Sequence, residues 1–223
     1  MILGIQTAQK PNGLALVDAH GHPMATMSRD SGRLFGDAIA EHAYDLCAHV
    51  GKKLRDLQAI GVVTGPGGYT AVRIGVALAN SLAQAIGCPV YGLDTLTAMA
   101  QPYCAMPGTA LVMTPTIGTQ MAIQLMGFSG CINPLTPIDV VDGSLLSKTL
   151  SNVSGNLSVI GTLPASIVAL ENPALIRIQT LPDARVVAQW AAQCLETHRP
   201  ASPAVSAYYA YDAVAAPRTS KPI

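Results

Sequence analysis

An α/β fold is predicted by three features of this sequence. Half of its 223 residues are hydrophobic and only 12% are charged, the balance of a globular chain with a sizeable core. In the N-terminal half, short apolar runs alternate with segments of helical periodicity. Between one such run and the helix after it lies a glycine-rich turn of the strand-to-helix kind.

Residues 1–5 are predicted as a short buried strand, 13–18 as a second and 23–28 as a weaker third. Gly13 and Gly21-His22-Pro23 mark the turns between them, which gives an antiparallel meander. Residues 34–50 are predicted as a helix: Phe35, Ile39, Ala43, Leu46 and Val50 recur at helical spacing, and Gly51 ends it. Asp37, Glu41 and Asp45 line a polar stripe on another face. Residues 59–64 are a continuous apolar run, expected of a strand covered on both faces. A second helix runs from Thr70 to Ile86, stopped by Gly87 and Pro89. Residues 89–93 form another strand, and Asp94 or Thr95 caps a helix to about residue 101.

Strands are predicted at 109–113 and 120–126. From 129 to 182 the pattern weakens to one helix near 144–150 and strands near 157–160 and 175–178. Residues 182–198 are an amphipathic helix, and the Ala- and Pro-rich remainder is expected to be irregular. A composition shift near 105–108 suggests three parts: an N-terminal lobe (1–105), a reduced C-terminal lobe (106–199) and a tail (200–223).

Charge excludes one function class. Lys+Arg and Asp+Glu both number 13, and no basic run occurs. A stand-alone nucleic-acid binder needs a basic footprint, because neutralising phosphates supplies most of its affinity. The five cysteines are widely spaced without a Cys-x-x-Cys, so reduced, buried thiols are expected. The start lacks a signal-peptide pattern, and the apolar stretch 74–90 is broken by Asn80, Ser81 and Gln84. No membrane span and a cytoplasmic location are expected.

The loop Gly65-Pro66-Gly67-Gly68-Tyr69-Thr70, with Arg73 and Gly75 in the helix behind it, is the most informative segment. Its glycines permit positive φ and close backbone approach, and the helix N-terminus could hold an anion. Against that, Pro66 has no N–H, and the Walker pattern is absent. The helix carries two apolar stripes: Val72, Val76, Ala79, Ala83 and Ile86, and Ile74, Leu78, Leu82 and Ala85. Its polar face is only Arg73, Asn80 and Gln84. Such a helix must be covered on most sides, by its own core or by a second molecule. Periodicity leaves both open. His20-x-His22, and the pair His42 and His49, lack a third metal ligand nearby, and no Gly-x-Ser-x-Gly elbow occurs. No catalytic residue is assigned.

Three segments resemble the TsaB (YeaZ) family: Ile2-Leu3-Gly4-Ile5-Gln6-Thr7, the stretch from Gly65 to Gly75, and Pro89 through Leu93-Asp94-Thr95-Leu96 to Met99-Ala100-Gln101. The resemblance covers residues 1 to about 113. It implies an actin-like, hexokinase-like ATPase (ASKHA) fold with a complete N-terminal and a reduced C-terminal lobe. It further implies a non-catalytic dimerisation subunit of the bacterial complex that forms N6-threonylcarbamoyladenosine beside the tRNA anticodon. The implied partners are a catalytic, metal-bearing TsaD-like subunit and a TsaE-like ATPase, with tRNA reached only through the complex and a homodimer in isolation. ATP or ADP would sit at the complex interface, with no cofactor in the chain itself. Pairing would run through the first two long helices, on Phe35, Ile39, Ala43, Leu46, Val72, Val76, Ala79 and Ala83.

Three departures stand out. Gln6 replaces the Asp usual in the family, which in the wider superfamily anchors a metal–nucleotide group. Thr114-Pro115-Thr116 replaces Asp-Ala-Arg, and residues 204–209 only loosely echo the family's Pro-x-Tyr tail. The alternatives are an actin-like-fold ATPase or kinase that cradles phosphate on Gly65 to Gly68, and a stand-alone homodimeric regulatory protein.

Overall fold

A computed structural model describes residues 1–30 and 38–210 of the chain. The N-terminal half builds β1 (Ile2–Gln6), β2 (Asn12–Val17), β3 (Pro23–Arg29), α1 (Ile39–His49), β4 (Ala59–Val63), α2 (Tyr69–Ile86), β5 (Val90–Leu93) and α3 (Thr95–Ala100). The five strands form one sheet in the order β3-β2-β1-β4-β5. The predicted meander is there: β1, β2 and β3 pair antiparallel, while β4 and β5 join parallel to β1.

Every residue of β1, β2 and β4 is buried, which explains their unbroken apolar runs. On one face Leu3, Ile5, Leu14, Leu16, Ile60 and Val62 pack with the inner sides of α1 and α2. Asp94 caps α3 by accepting from Thr97 N at 2.9 Å, and Gly87 ends α2 at a φ of 79°.

The second half contributes β6 (Gly108–Pro115), β7 (Gln120–Phe128), β8 (Ile132–Pro134), β9 (Asp139–Asp142), α4 (Gly143–Ser151), β10 (Leu157–Gly161), α5 (Ala165–Val168), β11 (Leu175–Gln179) and α6 (Ala184–Glu196). The second sheet runs β11-β10-β6-β7-β8, with β9 also on β7. Its core is split by the sheet. Leu96 and Met99 of α3 cover one side with Val112, Met126 and Ile160, and Leu146, Leu150 and Ile167 cover the other with Met113 and Val159. The short β8, β9 and α5 have no counterpart in the sequence reading.

The structure differs from the sequence reading in where α6 belongs. That helix returns to the first sheet and covers its far face, packing Ala188, Ala191 and Ala192 on Ile2, Val17 and Ala59. The reason is a pair of glycines in register, Gly4 on β1 and Gly61 on β4. A methyl at Gly4 would collide with the backbone of Ala184 and Ala188, and one at Gly61 would lie 2.7 Å from the Val187 carbonyl. Small residues on both sides let helix and sheet meet backbone to backbone. Residues 184–196 therefore complete the first lobe. Among the described residues no helix is long and apolar enough to cross a membrane.

Candidate partner surface and glycine loop

The loop between β4 and α2 is fastened on three sides. Gly65 has a φ of 105°, a conformation glycine adopts at little cost, and a side chain there would strike the Tyr208 carbonyl. Its own carbonyl accepts from Thr95 N at 2.9 Å, which ties the loop to α3. Gly67 lies against the Ala8 carbonyl, and Gly68 N donates to that same oxygen at 2.9 Å. In the second turn of α2, Gly75 is pressed against the Thr7 hydroxyl. Pro66 is buried, and Tyr69, Thr70 and Arg73 face solvent. Gly65, Gly67 and Gly75 thus serve close packing between segments of this chain.

Gln6 is 1% exposed, and its amide is fully engaged. Nε2 donates to the carbonyls of Gln9 and Pro11, both at 2.9 Å, and Oε1 accepts from Gln9 N at 3.1 Å. The side chain closes the β1–β2 turn. A carboxylate could not make the two donations. Gln9 Oε1 in turn accepts from Thr162 Oγ1 at 2.9 Å, joining this turn to the second lobe. A metal–nucleotide group of the kind the fold family implies does not fit these residues: the position needing a charge holds a neutral amide, and the glycines are committed elsewhere.

The predicted pairing residues lie inside. Ile39, Ala43, Leu46, Val72, Val76, Ala79 and Ala83 are all buried in the chain's own core. Phe35 lies outside the described residues. Periodicity finds the apolar stripe, and here the sheet covers it. What α2 turns outward is its second stripe. Ala77, Ser81 and Ala85 are exposed, and Ile74, Leu78 and Leu82 are half-buried along the same side. On α1 the outer side shows Tyr44, 59% exposed, beside Glu41 and Asp45.

Other candidates resolve into turns and core. The Asp18 carboxylate accepts from the backbone N–H groups of His20 and His22 at 2.8 and 2.9 Å. These bonds, the His22 backbone first, hold its pKa at about 2, the mark of a turn cap. Of the five thiols, Cys47 and Cys194 are buried while Cys131 is exposed, so the expectation of buried cysteines holds only in part. Burial pushes the Cys47 thiol up to about 11.

The sequence reading missed the tail. Residues 202–209 form no regular element, yet they are bonded to β5, α2 and the glycine loop. Only Asn80, a polar residue breaking an apolar helix, hinted at such a neighbour.

Comparison with known proteins places these features. Residues 11–116 match the family model "TsaD: tRNA N6-adenosine threonylcarbamoyltransferase". A segment of 57 residues is 40% identical to the tRNA threonylcarbamoyladenosine biosynthesis protein TsaB of Escherichia coli, covering 26% of this chain and 25% of that protein. A longer match, 29% identical over 171 residues, is to the tRNA N6-adenosine threonylcarbamoyltransferase of Chromobacterium violaceum. It covers 70% of this chain and 48% of that enzyme. The matches thus span between a quarter and a half of these curated relatives. The structure of YeaZ from Pseudomonas aeruginosa superposes with a TM-score of 0.71 at 18% identity, over 92% of this chain and 95% of that one. A second structure, described as similar to YeaZ of that organism, gives 0.74 at 18% identity, over 93% and 98%. The chain thus has the fold of YeaZ, and parts of its sequence are similar to TsaB and to tRNA N6-adenosine threonylcarbamoyltransferases.

Proposed function

We propose that this chain is a non-catalytic, partner-binding subunit in the formation of N6-threonylcarbamoyladenosine in tRNA. Its partner is a TsaD-like catalytic subunit, which it meets through the outer faces of α2 and α1. The observation that carries this reading is the outer side of α2, where Ala77, Ser81 and Ala85 are exposed and Ile74, Leu78 and Leu82 are only half-buried, on a helix already packed on its first stripe. Small residues at Ala77, Ser81 and Ala85 suit close helix–helix approach. Glu41 and Asp45 give basic residues of the partner a counter-charge.

Two further points favour a scaffold. Gln6 and the glycine loop are occupied with holding the first lobe together. A formal charge of zero assigns the tRNA contacts to the partner. The names of the relatives support the pathway. A role in tRNA modification is the ground for a cytoplasmic location. Without the partner, the same face joins two copies. A TsaE-like ATPase would dock on the pair.

Light scattering coupled to size-exclusion chromatography tests this on the chain mixed with the TsaD-like protein of its own organism. A one-to-one complex is expected. Two separate peaks, with no complex at micromolar concentrations, would overturn the reading.

A further inference from the structure

The tail carries an inference that rests in one respect on the pairing reading above. Its attachments come from four sides. Ser202 makes a β-bridge to Val90 on the outer edge of β5. Asn80 of α2 grips Val205 at both ends: Nδ2 donates to the Val205 carbonyl and Oδ1 accepts from Val205 N, each at 2.9 Å. Tyr208 N donates to Thr64 O at 2.7 Å, at the start of the glycine loop. The Tyr209 hydroxyl accepts from Arg73 Nε at 2.9 Å, and its ring lies 4.8 Å from that of Tyr69. The Arg73 guanidinium sits 4.0 Å over the Tyr69 ring, which completes a cation–aromatic cluster on the first turns of α2.

Two glycines are shaped to this tail. Gly65 leaves room for the Tyr208 carbonyl, and a methyl at Gly92 would lie 3.2 Å from Val205. Asn80 is suited to its position because only an amide side chain offers a donor and an acceptor side by side, as a strand backbone does. Yet the tail brings little apolar burial: Val205 and Ala207 are only partly buried against the core. A segment held by hydrogen bonds and few apolar contacts opens locally at lower free energy than the domain unfolds.

We propose that residues 202–209 are a latch. Seated, the segment fixes the glycine loop and the first turns of α2, and walls one flank of that helix beside its open apolar stripe. Released, it frees the loop while both sheets stay folded. The latch thereby sets the shape of the face that α2 offers a partner.

Hydrogen exchange read by mass spectrometry tests this on the full chain and on full-length Asn80→Ala and Tyr209→Ala variants. A chain ending at Pro200 serves as the extreme case. Amides of residues 64–73 and 202–209 should exchange at least tenfold faster in Asn80→Ala, with β1 and β4 unchanged. Equal slowing of tail and core in the full chain, or an unaltered loop in both point variants, would overturn the latch. Affinity for the TsaD-like protein should fall at least fivefold in Asn80→Ala. A loosened loop with unchanged affinity would overturn the coupling to the partner face. Failure of the unaltered chain to pair would sink the pairing reading alone, because the exchange rates judge the latch without a partner.

Discussion

The two apolar stripes of α2 are nearly alike in composition and opposite in fate. Val72, Val76, Ala79 and Ala83 are sealed against the first sheet, while Ile74, Leu78 and Leu82 are only half-buried and Ala85 is exposed. The difference lies in what stands opposite. The first stripe meets Ile60 and Val62 of β4, whose side chains point to that face. The second packs against the edge of the same core with Ile74, Leu78 and Leu82 and stays only half-buried there. Periodicity alone does not say which side of such a helix the chain covers more completely; the fold decides it.

Substitutions that separate the stripes test this contrast. Ala79→Arg places a charge at a position 0% exposed, and it should destabilise the domain by about 3–5 kcal/mol. Thermal unfolding of the isolated chain reads the effect, and a melting temperature within a degree of the unaltered chain would contradict the packing. A smaller loss is expected at the β1–β2 turn. Gln6→Asp removes both donations to Gln9 and Pro11 and should cost about 1–3 kcal/mol in urea unfolding. No loss would mean that the turn is held by other contacts.

The smallest effect is electrostatic and lies away from both stripes. Asp18 has a folded pKa of about 2, below its ordinary 3.8. A carboxylate whose folded pKa is depressed contributes stability that is complete above the unfolded value. That contribution is lost as pH falls from about 4 through 2. Asp18→Asn should therefore flatten the acid limb of the stability curve across this window, by lowering stability at neutral pH while leaving it close to that of the parent near pH 2. An unchanged acid limb would assign the low-pH loss to other carboxylates.

Much of the first lobe was legible in the sequence because its signals are local. The buried strands are continuous apolar runs, and Gly51, Gly87 and Asp94 mark helix ends by their own chemistry. The placement of α6 was not legible locally. It depends on Gly4 and Gly61 standing side by side across two strands, a register that only pairing reveals. Nor was the tail, whose partners Asn80, Thr64 and Arg73 are more than a hundred residues away in sequence. The glycine loop is visible in the sequence as a special segment. Its role as a packing hub depends on Ala8, Thr7 and Tyr208, which only the fold brings against it.

Ala77→Arg tests the central claim most directly. Ala77 is exposed, and arginine is nearly as good a helix former as alanine, so stability should change by no more than about 0.5 kcal/mol. The variant and the parent chain would each be mixed with the TsaD-like protein and their masses read by light scattering. If the outer stripe of α2 is the pairing face, the parent forms the complex and the folded variant stays apart. A folded Ala77→Arg chain that pairs as tightly as the parent would contradict it.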